Sequence, residues 1–198
     1  MLTYKHLLLV IIFTFSTASY AADNKQSPNE LLNEVANTLF GQIKTANLQG
    51  SSKSESMHKI VEQYLMPHID IKYVSFKLLG KHARKMPKDR INDFFTAVQN
   101  HLVGTYANAL MNYDDQQVIF DDSASKVNNK YATVKTRIIN DDKPSIDLQF
   151  KLRKSKTGDW KIYDMVAEGI SLLSAKQKEI SGRITQQGLE QTIVALNQ

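Results

Sequence analysis

Apolar positions follow a helical period up to about residue 113, a period of two from 117 to 167, and a helical period again to the end of the chain. Ser27, Pro28 and Glu30 mark a helix start: a capping hydroxyl, a proline suited to the first turn, and a carboxylate three residues on that closes a capping box. Leu31, Leu32, Val35, Leu39, Phe40 and Ile43 then recur every three or four residues. Gly50, Ser51 and Ser52 break this helix. A second, over 54–65, carries Met57, Ile60, Val61, Tyr64 and Leu65 on one face and stops at Pro67. A third covers 70–79 and ends at Gly80, a residue suited to the C-terminal cap. Pro87 opens the longest, 87–112, with Ile91, Phe94, Phe95, Val98, Leu102, Val103, Tyr106 and Leu110 on its apolar side. Those positions cover an arc of roughly 180°, wide for a helix with one exposed face. This helix is expected to be buried along most of its length, either as plain core or as core that also lines a cavity.

Strands are expected at 117–120, Tyr131–Ile139, 146–152 and Trp160–Ala167. In the second, Ala132, Val134, Thr136 and Ile138 alternate with Tyr131, Thr133, Lys135 and Arg137. In the third, Ile146, Leu148, Phe150 and Leu152 alternate with Asp147, Gln149, Lys151 and Arg153. The fourth is apolar on both faces, so its phase at Met165 against Val166 stays open. The connectors 140–144 and 155–159 are short and turn-rich, which makes these strands antiparallel neighbours. Helices at 172–187 and 189–196, parted by Gly188, close the chain. Helices, then a meander sheet of about four strands, then helices give an α+β fold with about six helices.

The N-terminus has a different logic. Lys5 and His6 precede nine apolar residues, 7–15 (LLLVIIFTF), and then the small polar run 16–22 (STASYAA). That order is that of a secretory signal peptide. The run falls short of the roughly 20 apolar residues that span a bilayer. Cleavage is expected after Ala21 or Ala22, leaving residues 23–198 as one exported domain. No cysteine lies near the cleavage site, which excludes lipoprotein processing, and none occurs anywhere, which excludes disulfides, thiolate nucleophiles and cysteine-ligated metals.

Without Lys5 the mature part has 24 basic and 20 acidic residues, a net of +4. The charge is uneven. Lys77, Lys81, Arg84, Lys85, Lys88 and Arg90 crowd into fourteen residues opposed only by Asp89. This is either a solvated face or a docking surface for an anionic layer or acidic partner. The cluster lacks the interleaved aromatics of a nucleic-acid stacking platform.

Catalytic signatures are missing. There is no phosphate loop, dinucleotide glycine fingerprint or nucleophile elbow. His58, His68, His82 and His101 are scattered without metal-ligand spacing, so no metal site is expected. Asp164 and Glu168, beside Tyr163, are the one carboxylate pair of interest; they serve acid–base chemistry in a cavity or fix a strand-to-helix turn. On these grounds a carrier or binding module is favoured over an enzyme.

Four ordered segments carry a resemblance. Residues 160–174 (WKIYDMVAEGISLLS) resemble the end of the sheet in the periplasmic phospholipid carriers of the maintenance-of-lipid-asymmetry pathway, also called toluene-tolerance proteins. Residues 61–80 (VEQYLMPHIDIKYVSFKLLG) resemble that family's helix–Pro–helix element, 90–110 its long central helix, and 145–153 with Trp160 its central hairpin. The basic run Lys81, His82, Ala83, Arg84, Lys85 departs from the family pattern and leaves the headgroup or partner contact open.

The resemblance implies a cone-like sheet wrapped by helices around the acyl tails of a phospholipid, which is cargo, with no cofactor. It implies a soluble periplasmic shuttle between an outer-membrane lipoprotein–porin complex and an inner-membrane ABC transporter with a ring-forming substrate-binding subunit. A cargo-enclosing monomer suffices. If the helices wrap the sheet in this way, Gly169 bends the chain so that Ile170 and Leu173 face Val74, Leu78, Val98 and Leu102, and the tail pocket is lined by these together with Tyr106, Leu148, Phe150 and Met165. Lys77, Lys81, Arg84, Lys85 and Lys88 are then the candidates for docking a partner or headgroup layer. Two other readings stand beside it: a secreted enzyme using Asp164, Glu168 or Tyr106 as acid or base in a similar pocket, and an adaptor whose apolar residues only fill a core.

Overall fold

The computed structural model describes residues 26–46, 52–111, 113, 116–139 and 144–197. The expected signal segment and most of the 140–144 connector lie outside these. Helix α1 (Pro28–Thr45) starts as its sequence demands: Ser27 Oγ accepts from the Glu30 amide at 3.2 Å, and Glu30 Oε2 accepts from the Ser27 amide at 2.8 Å. Helices α2 (Ser52–Tyr64), α3 (Ile71–Leu79) and α4 (Ile91–Leu110) follow. Between them lie three short 3-10 segments that the apolar period does not mark: Met66–His68, Gly80–Lys85 and Lys88–Arg90. The last turn before α4 is therefore tighter than the continuous helix expected from Pro87.

The sheet is an antiparallel meander in the order β1 (Gln117–Val127), β2 (Tyr131–Ile139), β3 (Ile146–Lys154), β4 (Trp160–Ala167), β5 (Ile170–Ser171). Strand β1 runs well past the expected 117–120. Its second half is too polar to show alternation and is held by pairing with β2 across a bulge between Asp121 and Lys126. The fifth strand is only two residues long and was not expected. Helix α5 (Leu172–Leu196) is broken by Gly188 at φ 85°, so the five helices give the six helical arms that the sequence implies.

One irregularity decides what the sheet presents to the helices. Between β3 and β4, Lys151 pairs with Asp164 but Leu152 pairs with Ile162. Tyr163 is thus an extra residue, a bulge that shifts the phase of β4. Leu148, Phe150 and Leu152 share their face with Ala167, Met165 and Ile162, a set that no strict alternation along β4 contains.

The helices pack as α1 on α2, α2 on α4, and α3 on both α4 and α5; α1 also meets β1 and β2, while α3 and α5 meet β4. The tightest packing lies where α2, α3, α4 and α5 converge, with Met57, Val61, Leu79, Phe94, Val98 and Ile180 all at 2 % exposure or less. The link from α2 into α3 is fastened to β4. Asp70 N–H donates to the Ile162 carbonyl at 2.8 Å, and Lys161 Nζ donates to the Pro67 carbonyl at 2.7 Å. Asp70 caps α3 through the Tyr73 amide at 3.0 Å and accepts from Arg153 at 2.5 Å, with the Arg153 guanidinium 4.4 Å above the Tyr73 ring.

Candidate functional site

A cavity of about 370 Å³ lies between α1, the end of α4 and the sheet. Helix α1 supplies Leu32, Val35, Ala36, Leu39 and Phe40; α4 supplies Tyr106, Ala109 and Leu110. The sheet supplies Val118, Phe120, Ile138, Ile146, Leu148, Phe150, Ile162 and Met165, and Leu65, Ile69, Tyr113 and Gln116 are the other lining residues among those described. No charged side chain is among them. Phe40 stacks on Tyr113 at 4.3 Å between ring centroids, tying α1 to the chain just past α4. Ala109 and Ile146, both exposed, stand at the rim.

A smaller chamber of about 90 Å³ lies beyond, between α3, α4, β4 and the start of α5. Ile69, Tyr106, Ile162 and Met165 line both spaces.

The sequence-derived residues fall into three groups. Tyr106, Leu148, Phe150 and Met165 line the large cavity; Val74, Leu78, Leu102 and Leu173 line the small one. Val98 lines neither. It is 1 % exposed and packed into the helical core. Ile170 is 63 % exposed and lines neither chamber. Gly169 does bend the chain, but Glu168 (φ 48°) and Gly169 (φ 81°) together form a tight hairpin turn in which both residues are left-handed. The chain reverses at once, pairing Ile170 with Ala167, and Ile170 projects into solvent instead of running toward α3 and α4. The phase at Met165 is settled by the bulge: Met165 faces the cavity, while Val166 pairs with Ser171. Sequence reasoning missed the contribution of α1 and of β1. The apolar stripe of α1 was visible, but nothing in it distinguished a cavity wall from ordinary core.

The carboxylates serve the turn. Asp164 is 7 % exposed and accepts from Lys151 Nζ (3.2 Å), Ser171 Oγ (2.8 Å) and the Leu173 amide (3.0 Å), which seats the first turn of α5 on β4. Glu168 Oε1 accepts from the Asp147 amide at 2.8 Å. Tyr106 is pushed up to about 12, chiefly by burial and secondarily by the Asp164 charge. It is protonated at neutral pH and is not a base there. Burial lowers the pKa of both His68 and His101. Among the described residues no group of side chains is arranged to hold a metal ion, and no helix is long and apolar enough to cross a membrane.

Of the basic cluster, Lys77, Lys81, Arg84, Lys85 and Lys88 are all exposed. Lys77 lies 5.3 Å from the Tyr73 ring centroid. Arg90 stands apart from the rest: it is paired with Asp93 and Glu190, and so ties the start of α4 to α5.

The fold and its cavity define an α+β domain in which helices and an antiparallel meander border an apolar chamber. The family profile described as "MlaC protein" matches residues 33–198, and the chain belongs to that family. It is 28 % identical over 193 residues to the intermembrane phospholipid transport system binding protein MlaC of Haemophilus influenzae, covering 96 % of this chain and 90 % of that one. It is 24 % identical over 166 residues to the toluene tolerance protein ttg2D of Pseudomonas putida, covering 83 % of this chain and 75 % of that one. The phospholipid-binding protein from Ralstonia solanacearum, solved in complex with a phospholipid, shares the fold with a TM-score of 0.74 at 19 % identity, over 87 % of this chain and all of that one.

Proposed function

We propose that this protein is a periplasmic phospholipid carrier, exported by the signal in residues 1–22 and working as one domain of residues 23–198. It shuttles lipid between an outer-membrane lipoprotein–porin complex and the substrate-binding ring of an inner-membrane ABC transporter, and so maintains outer-membrane lipid asymmetry. The observation that carries this reading is the cavity of about 370 Å³, lined among the described residues without a charged side chain. Its size falls in the ordinary range of ligand pockets. Names of the family's relatives, and the phospholipid in the Ralstonia protein, support the choice of cargo.

The physical case is one of transfer free energy. Each methylene kept out of water is worth ~0.8 kcal/mol, so the roughly thirty of a diacyl lipid cost on the order of 24 kcal/mol to hold bare in water. A carrier between membranes must enclose the tails and can leave the headgroup wet. It needs no polar recognition inside and no catalytic set, and its release step needs a partner. The exposed basic residues Lys77, Lys81, Arg84, Lys85 and Lys88 are the docking surface in this reading, for an acidic partner face or an anionic headgroup layer. No second copy of the chain is needed.

Organic-solvent extraction of the purified protein tests the proposal. Phospholipid recovered at near one per chain is the expected result. An empty protein that also fails to take lipid from vesicles overturns it.

A further inference from the structure

The two chambers meet at Ile69, Tyr106, Ile162 and Met165. Two of these four are fixed. Ile69 and Ile162 form a backbone bridge, reinforced by the Asp70 amide on the Ile162 carbonyl at 2.8 Å, and they are 9 % and 7 % exposed. Tyr106 and Met165 are held by packing alone. Each keeps part of its surface open to the two chambers, and neither side chain makes a hydrogen bond among the described residues. Met165 is unbranched, with three rotatable bonds. Tyr106 is an aromatic plate at the place where α4 passes from one chamber to the other: Leu102, one turn earlier, lines the small chamber, and Leu110, one turn later, lines the large one.

Beyond this plate the small chamber is bordered by apolar Val74, Leu78, Leu102 and Leu173. Asp164, Lys176 and Thr105 also border it, and each has its polar group taken up elsewhere: the carboxylate by Lys151, Ser171 and Leu173, the ammonium by Glu179 at 2.7 Å, and the hydroxyl by the His101 carbonyl at 2.8 Å. The space therefore suits more hydrocarbon, about 90 Å³ added to about 370 Å³, but in this structure Tyr106 and Met165 stand between the two.

We infer that Tyr106 and Met165 form the end wall against which acyl tails stop, and that they set the tail length the protein accepts. This rests on the carrier reading above. A methylene kept dry in the protein costs little relative to the bilayer it leaves, whereas one left in water disfavours the longer tail by about fourfold. Tails that reach the wall are penalised for further length; tails that pass it are not.

The test is competition. The protein is stripped of lipid and offered vesicles containing equal amounts of a short-tailed and a long-tailed phosphatidylglycerol, and the bound lipids are weighed by mass spectrometry. Tyr106→Ala shifts the bound ratio toward the long tail by about fourfold per added methylene. Tyr106→Phe, which keeps the plate and loses only the hydroxyl, keeps the wild-type ratio. Met165→Ala opens the same wall from β4 and reads out the proposal independently should Tyr106→Ala not fold. An unchanged ratio in the folded alanine variants overturns the end wall while leaving the carrier reading intact; a shift as large in Tyr106→Phe overturns it too. A wild-type protein that takes neither lipid overturns the carrier reading and this inference with it.

Discussion

The two halves of α4 read alike in sequence and do different work. Its first half carries Phe94, Ala97 and Val98, at 0 %, 0 % and 1 % exposure, inside a closed core between neighbouring helices. Its second half carries Tyr106, Ala109 and Leu110 along the wall of the large cavity. The difference arises from what stands opposite. The first half faces other helices at packing distance, whereas the second faces the sheet across the cavity. One amphipathic helix thus serves as both the stiff frame and the cavity wall. At 1.5 Å per residue its twenty residues extend about 30 Å, so the exposed basic junction before its first turn lies well away from the rim near Ala109 at its last.

Truncation exposes the contrast most strongly. Phe94→Ala leaves a void in a filled core and is expected to cost about 3–5 kcal/mol, read as a lowered denaturant midpoint, while lipid recovered per folded chain stays near wild type. Leu110→Ala removes atoms that already border empty space. Fewer packed contacts are lost, and about 1 kcal/mol is expected. Equal losses at the two sites would erase the distinction between frame and wall.

A buried charge is the next test. Phe150→Glu puts a carboxylate into the chamber facing the second half of α4, where no cation lines the wall among the described residues. Bound lipid per folded chain should fall by about tenfold or more, with circular dichroism reporting the fold. Full lipid content in a folded Phe150→Glu protein would mean that the tails lie elsewhere.

At the other end of α4, reversing Lys81, Arg84 and Lys85 to Glu should leave bound lipid unchanged and slow its transfer to acceptor membranes or partners several-fold, most at low ionic strength, where screening is weakest. Loss of lipid with normal transfer would place these residues at the cargo instead. The smallest effect is expected at Ile170. Because it is 63 % exposed beyond a tight turn, Ile170→Glu should change stability by no more than about 0.5 kcal/mol and leave lipid content at the wild-type level. Expelled lipid would mean that this turn folds inward when the cavity is filled.

Much of the molecule was legible without coordinates because its signals are local. The capping box at Ser27 and Glu30, the stops at Pro67 and Gly80, the break at Gly188 and the turn at 155–159 each depend on residues within a few positions of one another. The alternation of β2 and β3 gave their shared face, and the four ordered segments pointed to the family. The α+β class follows from the order of those elements alone.

Tertiary structure decided the rest. The phase of β4 depends on Tyr163 bulging against β3, which alternation within β4 cannot reveal. The reversal at Glu168 and Gly169 sent Ile170 outward, although the residues read equally well as a bend into the next helix. Arg90 left the basic cluster because Glu190, a hundred residues away, comes to meet it. The cavity itself is the clearest case. A periodic apolar stripe specifies that a face avoids water; whether it meets close-packed side chains or an open chamber depends on the distance to an opposing surface, which is a property of several elements together and of no single stretch of sequence.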